Sequence, residues 1–193
     1  MKKIDKGETP GFFSDFIKKS RPKVWNDITS IRSRLREHIL TAEQLGYCAY
    51  TEIKISDAND CHIDHYRTRN LFPEKTFEYR NLMVSCNSEE YGAKYKDKQV
   101  KGKSDYDNLI NPVEDNPTDY MEYTFTGEIQ PIDSNEKGMK TIAYFNLNQR
   151  SLINRRKQAI LSLIAIKETL NEDESVNAIG EFETMLRQLY REL

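Results

Sequence analysis

The apolar residues divide the chain into a helical start, a middle with a shorter period and a helical end. From Lys23 to Gln44, Ile28, Ile31, Leu35 and Ile39 recur at three- and four-residue spacing while Arg32, Arg34 and Arg36 mostly take the other faces, which predicts an amphipathic helix. Pro22 stands just ahead of it, where proline is tolerated. Upstream, Gly11-Phe12-Phe13 through Lys19 fits either a short helix or an extended arm. Between Tyr47 and Ser85 the period changes: Ile53/Ile55 and Leu82/Val84 alternate as in short strands, and Ser56 to Asp60 reads as a turn. Glu89 to about Gln99 is expected to be helical and to run into the lysines Lys94, Lys96, Lys98, Lys101 and Lys103. Tyr120–Phe125 and Glu128–Pro131 flank Thr126-Gly127 as a second, small hairpin, and Asn111–Asp119 reads as a surface loop. Leu152–Leu170 is helical in pattern, and Ser175 is expected to cap a last helix bearing Val176, Ile179, Phe182, Leu186, Leu189 and Leu193. These two predict a helical hairpin over about residues 150–193.

Composition narrows this picture. The 193 residues fit one folded unit, and 37% hydrophobic residues with 11 Tyr and 8 Phe are too many for a disordered chain. No apolar run reaches membrane length, and Met1-Lys2-Lys3-Ile4-Asp5-Lys6 lacks a signal-peptide core, so a cytoplasmic protein without a membrane partner is expected. Three cysteines, Cys48, Cys61 and Cys86, suit a reducing compartment better than a disulfide framework. The formal net charge of -2 shows no global nucleic-acid signature, so any such argument rests on local patches.

Two of the three histidines, His62 and His65, fall within Cys61-His62-Ile63-Asp64-His65-Tyr66-Arg67. In an extended strand His62 and Asp64 share a face, where an imidazole and a carboxylate can meet one cation. A bend at the strand end would also turn His65 toward that cleft. The competing reading is a strand whose polar neighbours of Ile63 simply face solvent, and short motifs often give such false positives. Against it stands the sequel: an Arg- and Pro-containing loop, then Asn81-Leu82-Met83-Val84-Ser85-Cys86-Asn87 as a second apolar strand, then Glu89-Glu90 and Lys94.

These stretches, with Cys48-Ala49-Tyr50-Thr51-Glu52, Thr124-Phe125-Thr126-Gly127-Glu128-Ile129 and Thr141 to Asn148, resemble the HNH endonucleases of the Septu anti-phage defence system, the PtuB family. The likeness covers residues 45–150. It implies an α+β fold with a ββα-metal (HNH) nuclease core at about residues 45–105, a small additional β-hairpin, and flanking N-terminal and C-terminal helices. It further implies that Asp64 is a metal ligand, that His65 is the general base, and that Asn81 orients His65 or ties the two strands together. The last ligand of the family falls here on Glu90, with Asn87 as competitor, and the metal would be Mg²⁺ or Mn²⁺. His62 is expected to be a further ligand, an orienting residue or a structural one. Many relatives hold a structural zinc with two Cys-x-x-Cys pairs; here Thr51 and Glu89 replace half of the ligands, so no structural zinc is expected.

Arg67, Arg69, Arg80, Lys94, Lys96 and Lys98 are the candidate phosphate contacts, without any feature that separates DNA from RNA. The resemblance implies an SMC/ABC-like ATPase, PtuA, as partner, and in some systems a retron reverse transcriptase with its small DNA. No phosphate-binding glycine loop occurs, so nucleotide dependence would come from another chain. The alternative is a non-catalytic nucleic-acid or protein-binding module on a degenerate ββα scaffold.

Overall fold

A computed structural model describes residues 1–193. Gly11–Ser20 forms helix α1, with Lys18 and Lys19 in its last turn, where cations complement the helix dipole. The amphipathic stretch that follows is helical in three pieces: a 3₁₀ turn at Trp25–Ile28, α2 at Thr29–His38 and a wider π-type turn at Ile39–Glu43. Its apolar stripe is inward, with Ile28, Leu35 and Ile39 fully buried.

Ile53 and Ile55 are buried but form no regular strand; only Tyr47 and Lys54 pair. The chain turns at Glu52, whose φ of 59° interrupts any ladder. That turn is held from outside, because Glu52 accepts from the Thr184 amide at 2.8 Å through its carboxylate and from the Phe182 amide at 3.1 Å through its carbonyl.

Strand β1 (Cys61–His65) and strand β2 (Leu82–Cys86) pair antiparallel, with Asp64 opposite Met83 and His65 opposite Leu82. Leu82, Met83 and Val84 are wholly buried, which explains a continuous apolar run instead of alternation. The outer edge of β2 is closed by a side chain. Gln44 accepts from the Val84 amide at 2.8 Å and donates to the Val84 carbonyl at 2.9 Å, as a neighbouring strand would.

Helix α3 spans Ala93–Gln99 and begins later than Glu89. Gly92, with φ 77°, donates its amide to the Phe145 carbonyl at 2.8 Å, so the Glu89–Gly92 segment is bent away from a helical path. The second hairpin is shorter than its sequence pattern: β3 (Met121–Tyr123) pairs with β4 (Ile129–Pro131). Gly127 sits in their turn with φ 80°, and a Cβ there would lie 2.7 Å from the Ile153 carbonyl oxygen.

Helix α4 (Glu136–Tyr144), capped by the Asn135 side chain on the Gly138 amide at 2.6 Å, has no counterpart among the expected elements. Helix α5 runs from Arg150 to Ile166. The expected final helix is two: α6 (Glu172–Ile179) and α7 (Glu183–Glu192). Ser175 lies inside α6; the cap is Asn171, whose side chain accepts from the Glu174 amide while Glu174 reaches back to the Asn171 amide, both at 3.0 Å. Left-handed Gly180 and Phe182 break the continuation, Phe182 being held by the bond to Glu52. The C-terminal part is therefore a cluster of helices around one core and not a simple hairpin. The architecture is α+β, with two small antiparallel sheets sharing that core. No helix is long and apolar enough to cross a membrane.

Candidate functional site

The end of β1 delivers His62, Asp64 and His65 to one cleft of about 490 Å³, whose other wall includes Lys94, Asp97 and Lys101 on or just beyond α3, with Arg69 from the loop after β1. Most of that lining is polar or charged, and cations outnumber carboxylates in it.

His65 is buried, with its ring edge against Trp25 at a centroid distance of 4.4 Å. Its Nε2 lies 3.0 Å from the Thr76 carbonyl oxygen. A carbonyl only accepts, so Nε2 carries the hydrogen and Nδ1 keeps the lone pair. Burial is the main reason its pKa falls to about 4, only partly opposed by the Asp64 charge and the Thr76 bond. At neutral pH the imidazole is therefore uncharged and basic at Nδ1.

Asp64 is just as deeply buried but stays ionised. Burial alone would raise its carboxyl, yet the Lys96 ammonium, the Tyr50 hydroxyl and His62 together hold it below the ordinary carboxylate range. Tyr50 donates a short hydrogen bond to Oδ2, and Lys96 Nζ lies 3.1 Å from the same oxygen. Lys96 is fully buried and makes no surface contact, so its expected place among phosphate ligands is corrected.

Asn81 stands behind the cleft. Its Oδ1 accepts from the Arg67 amide at 2.8 Å, and its Nδ2 donates to the carbonyls of Arg67 at 3.0 Å and Lys75 at 3.2 Å. It clamps the two ends of the β1–β2 connection and makes no side-chain hydrogen bond to His65.

The remaining expected residues scatter. Glu90 is outside the cleft, where its carboxylate accepts from Gln149 at 3.0 Å and its carbonyl from Asn146 at 2.7 Å. Asn87 accepts from His62 Nδ1 at 2.9 Å and donates to the Asn59 carbonyl at 2.9 Å, which orients His62 from the side. Arg67 faces Glu114 at 3.8 Å, and Arg80 reaches the Val113 carbonyl at 3.5 Å, so neither lines the cleft. Arg69 and Lys94 do line it. Lys98 is exposed and paired with Glu89 at 2.7 Å.

Cys48 and Cys86 meet, the Cys86 amide donating to Cys48 Sγ at 3.4 Å, but Glu89 is drawn off by Lys94 and Lys98. No group of three His, Cys, Asp or Glu side chains converges on one point. For the divalent ion that the resemblance implies, the expected donor set, Asp64 with Glu90 or Asn87, does not fit, because these residues are not brought together. Asp64 has both oxygens engaged by Lys96 and Tyr50, while Glu90 and Asn87 are committed elsewhere.

Sequence reasoning passed over Lys96 as a buried partner, along with Tyr50, Trp25, Thr76 and Asp97. One signal was available for Lys96. Ala93, Lys96 and Val100 share a helical face at spacings of three and four, which puts the lysine between two buried positions.

The class that emerges is a small α+β chain in which an antiparallel hairpin, closed by an asparagine clamp and followed by a helix, presents a neutral histidine to a basic cleft. No protein-family model matches it. It is 24% identical over 135 residues to the Septu protein PtuB of Bacillus mycoides (strain KBAB4), an alignment covering 58% of this chain and 46% of that protein. The chain thus spans less than half the length of that relative.

Proposed function

We propose that this chain is a nuclease of the HNH type that hydrolyses phosphodiester bonds, working in a Septu-type defence complex with an ATPase partner. The observation that carries the reading is His65: neutral, fixed by the Thr76 carbonyl so that Nδ1 is the free base, and lining a cleft with Arg69, Lys94 and Lys101. In this reading Nδ1 takes the proton of a water whose oxygen attacks phosphorus, and the ester P–O bond breaks as the leaving oxygen picks up a proton. The three cations meet the charge that gathers on the phosphoryl oxygens. Distant similarity to a Septu PtuB protein supports the defence context and a PtuA-like partner.

A binding module without catalysis is the second reading, favoured by Lys96 seated on Asp64. The two separate in a cleavage assay on plasmid, single-stranded DNA and tRNA, with Mg²⁺ or EDTA and with the ATPase present. The expected result is cleavage by the wild type and a loss of about 10²–10⁴-fold in His65→Ala. Equal cleavage by both would remove His65 from the chemistry, and binding without cleavage would leave the module.

A further inference from the structure

The surroundings of Lys96 Nζ have the composition of a site for a hard cation. Five oxygens lie within hydrogen-bond reach: Asp64 Oδ2 at 3.1 Å and Oδ1 at 3.5 Å, Asp97 Oδ1 at 3.1 Å, and the carbonyls of His65 at 3.2 Å and Tyr66 at 2.9 Å. Carboxylates combined with peptide carbonyls are the donors that Ca²⁺, Mg²⁺ and Mn²⁺ select. The lengths, however, are those of N–H···O bonds, well beyond the roughly 2.0–2.6 Å of Mg²⁺–O and Ca²⁺–O bonds. The side chain is fully buried, and the packing of α3 through Ala93 and Val100 delivers it there. Asp64 thus has a cation already, supplied from within the chain.

We propose that the Lys96 ammonium stands in the place of a divalent ion at Asp64, so that Asp64 is a positioning residue and the charge of a bound phosphate falls to Arg69, Lys94 and Lys101. The last clause rests on the nuclease reading; the occupancy of Asp64 by Lys96 does not. Removing the lysine leaves two carboxylates and two carbonyls around a space without its positive charge, a latent divalent site.

The experiment is a titration with MnCl₂, followed by electron paramagnetic resonance and by thermal unfolding, on the wild type, Asp64→Asn, Lys96→Ala and the double variant. Lys96→Ala is expected to take one Mn²⁺ at least tenfold more tightly than the wild type and to gain unfolding temperature with Mn²⁺. The double variant is expected to lose both effects. A wild type that takes one Mn²⁺ in a manner abolished by Asp64→Asn would overturn the proposal, as would a folded Lys96→Ala that takes none. If Lys96→Ala does not fold, the wild type and Asp64→Asn decide it alone, absence of an Asp64-dependent ion supporting the proposal. Failure of the nuclease reading shows separately, as absent cleavage, and leaves the titration unaffected.

Discussion

Both antiparallel hairpins of this molecule are braced by a buried cation from a helix, yet their surroundings push the two cations in opposite directions. At β1–β2, burial works against the charge on Lys96, but Asp64 and Asp97 outweigh it and raise its pKa. At β3–β4, Arg156 of α5 donates to the carbonyls of Gly127 at 3.1 Å and Leu147 at 2.8 Å, with the rings of Tyr123 and Phe182 each 5.8 Å away. No carboxylate pairs with it, and burial, only partly offset by Tyr123 and Glu52, lowers its pKa. The second arrangement needs only neutral acceptors and ties the β3–β4 turn to the connection between α4 and α5. The first buries a charge pair, which is costly unless fully satisfied, and it lies against a cleft. The pair at the first hairpin joins a strand carboxylate directly to a helix lysine, whereas the second hairpin meets the buried Met1–Glu52 pair through the Tyr123 hydroxyl.

Breaking each brace tests the contrast. Lys96→Met strands the Asp64 carboxylate in the interior and is expected to cost about 3–5 kcal/mol in urea unfolding, with most of the loss recovered in the Asp64→Asn/Lys96→Met pair. Recovery is what separates an ion pair from a packing residue; a strictly additive double variant would contradict it. Arg156→Ala leaves two carbonyls unsatisfied and an unfilled space, for an expected loss of about 3 kcal/mol, and no single carboxylate change is expected to restore it.

The smallest effect is one of pH and belongs to the first hairpin alone. The folded pKa of His65 lies near 4, below its unfolded value of about 6.5, so its contribution is full above about pH 6.5 and is lost as pH falls toward 4. By pH 5 the wild type is expected to have lost about 2 kcal/mol more than His65→Gln, measured as the difference between their urea-unfolding profiles. Parallel profiles would mean that the imidazole is not held neutral.

The first hairpin was legible because the His62-Ile63-Asp64-His65 cluster and the apolar run Leu82-Met83-Val84 lie on either side of an Arg-containing loop, with Asp64, His65 and Asn81 near the facing strand ends. The expectation at Glu90 failed for a local reason: Gly92 in a left-handed turn, tied to Phe145, delays α3 to Ala93 and sends Glu90 to Gln149. A helix beginning at Glu89 assumed a direct strand-to-helix step that the glycine removes. The broken C-terminal helix has a similar cause, since Phe182 fits the apolar stripe but its amide is claimed by Glu52 from a distant loop. Tertiary hydrogen bonds of this sort leave no period in a sequence. Lys96 was legible in principle, but a lysine inside a lysine-rich tract reads as one more solvated charge until its helical face is counted.

The glutamine amide lying along β2 has a consequence for assembly. Because Gln44 already satisfies both polar groups of Val84, and the Ala49 amide adds a bond to the same carbonyl at 3.0 Å, that margin of the sheet offers no row of free peptide groups to another polypeptide. Recruitment by strand addition is closed there, and a polypeptide meeting that margin has to do so through side chains.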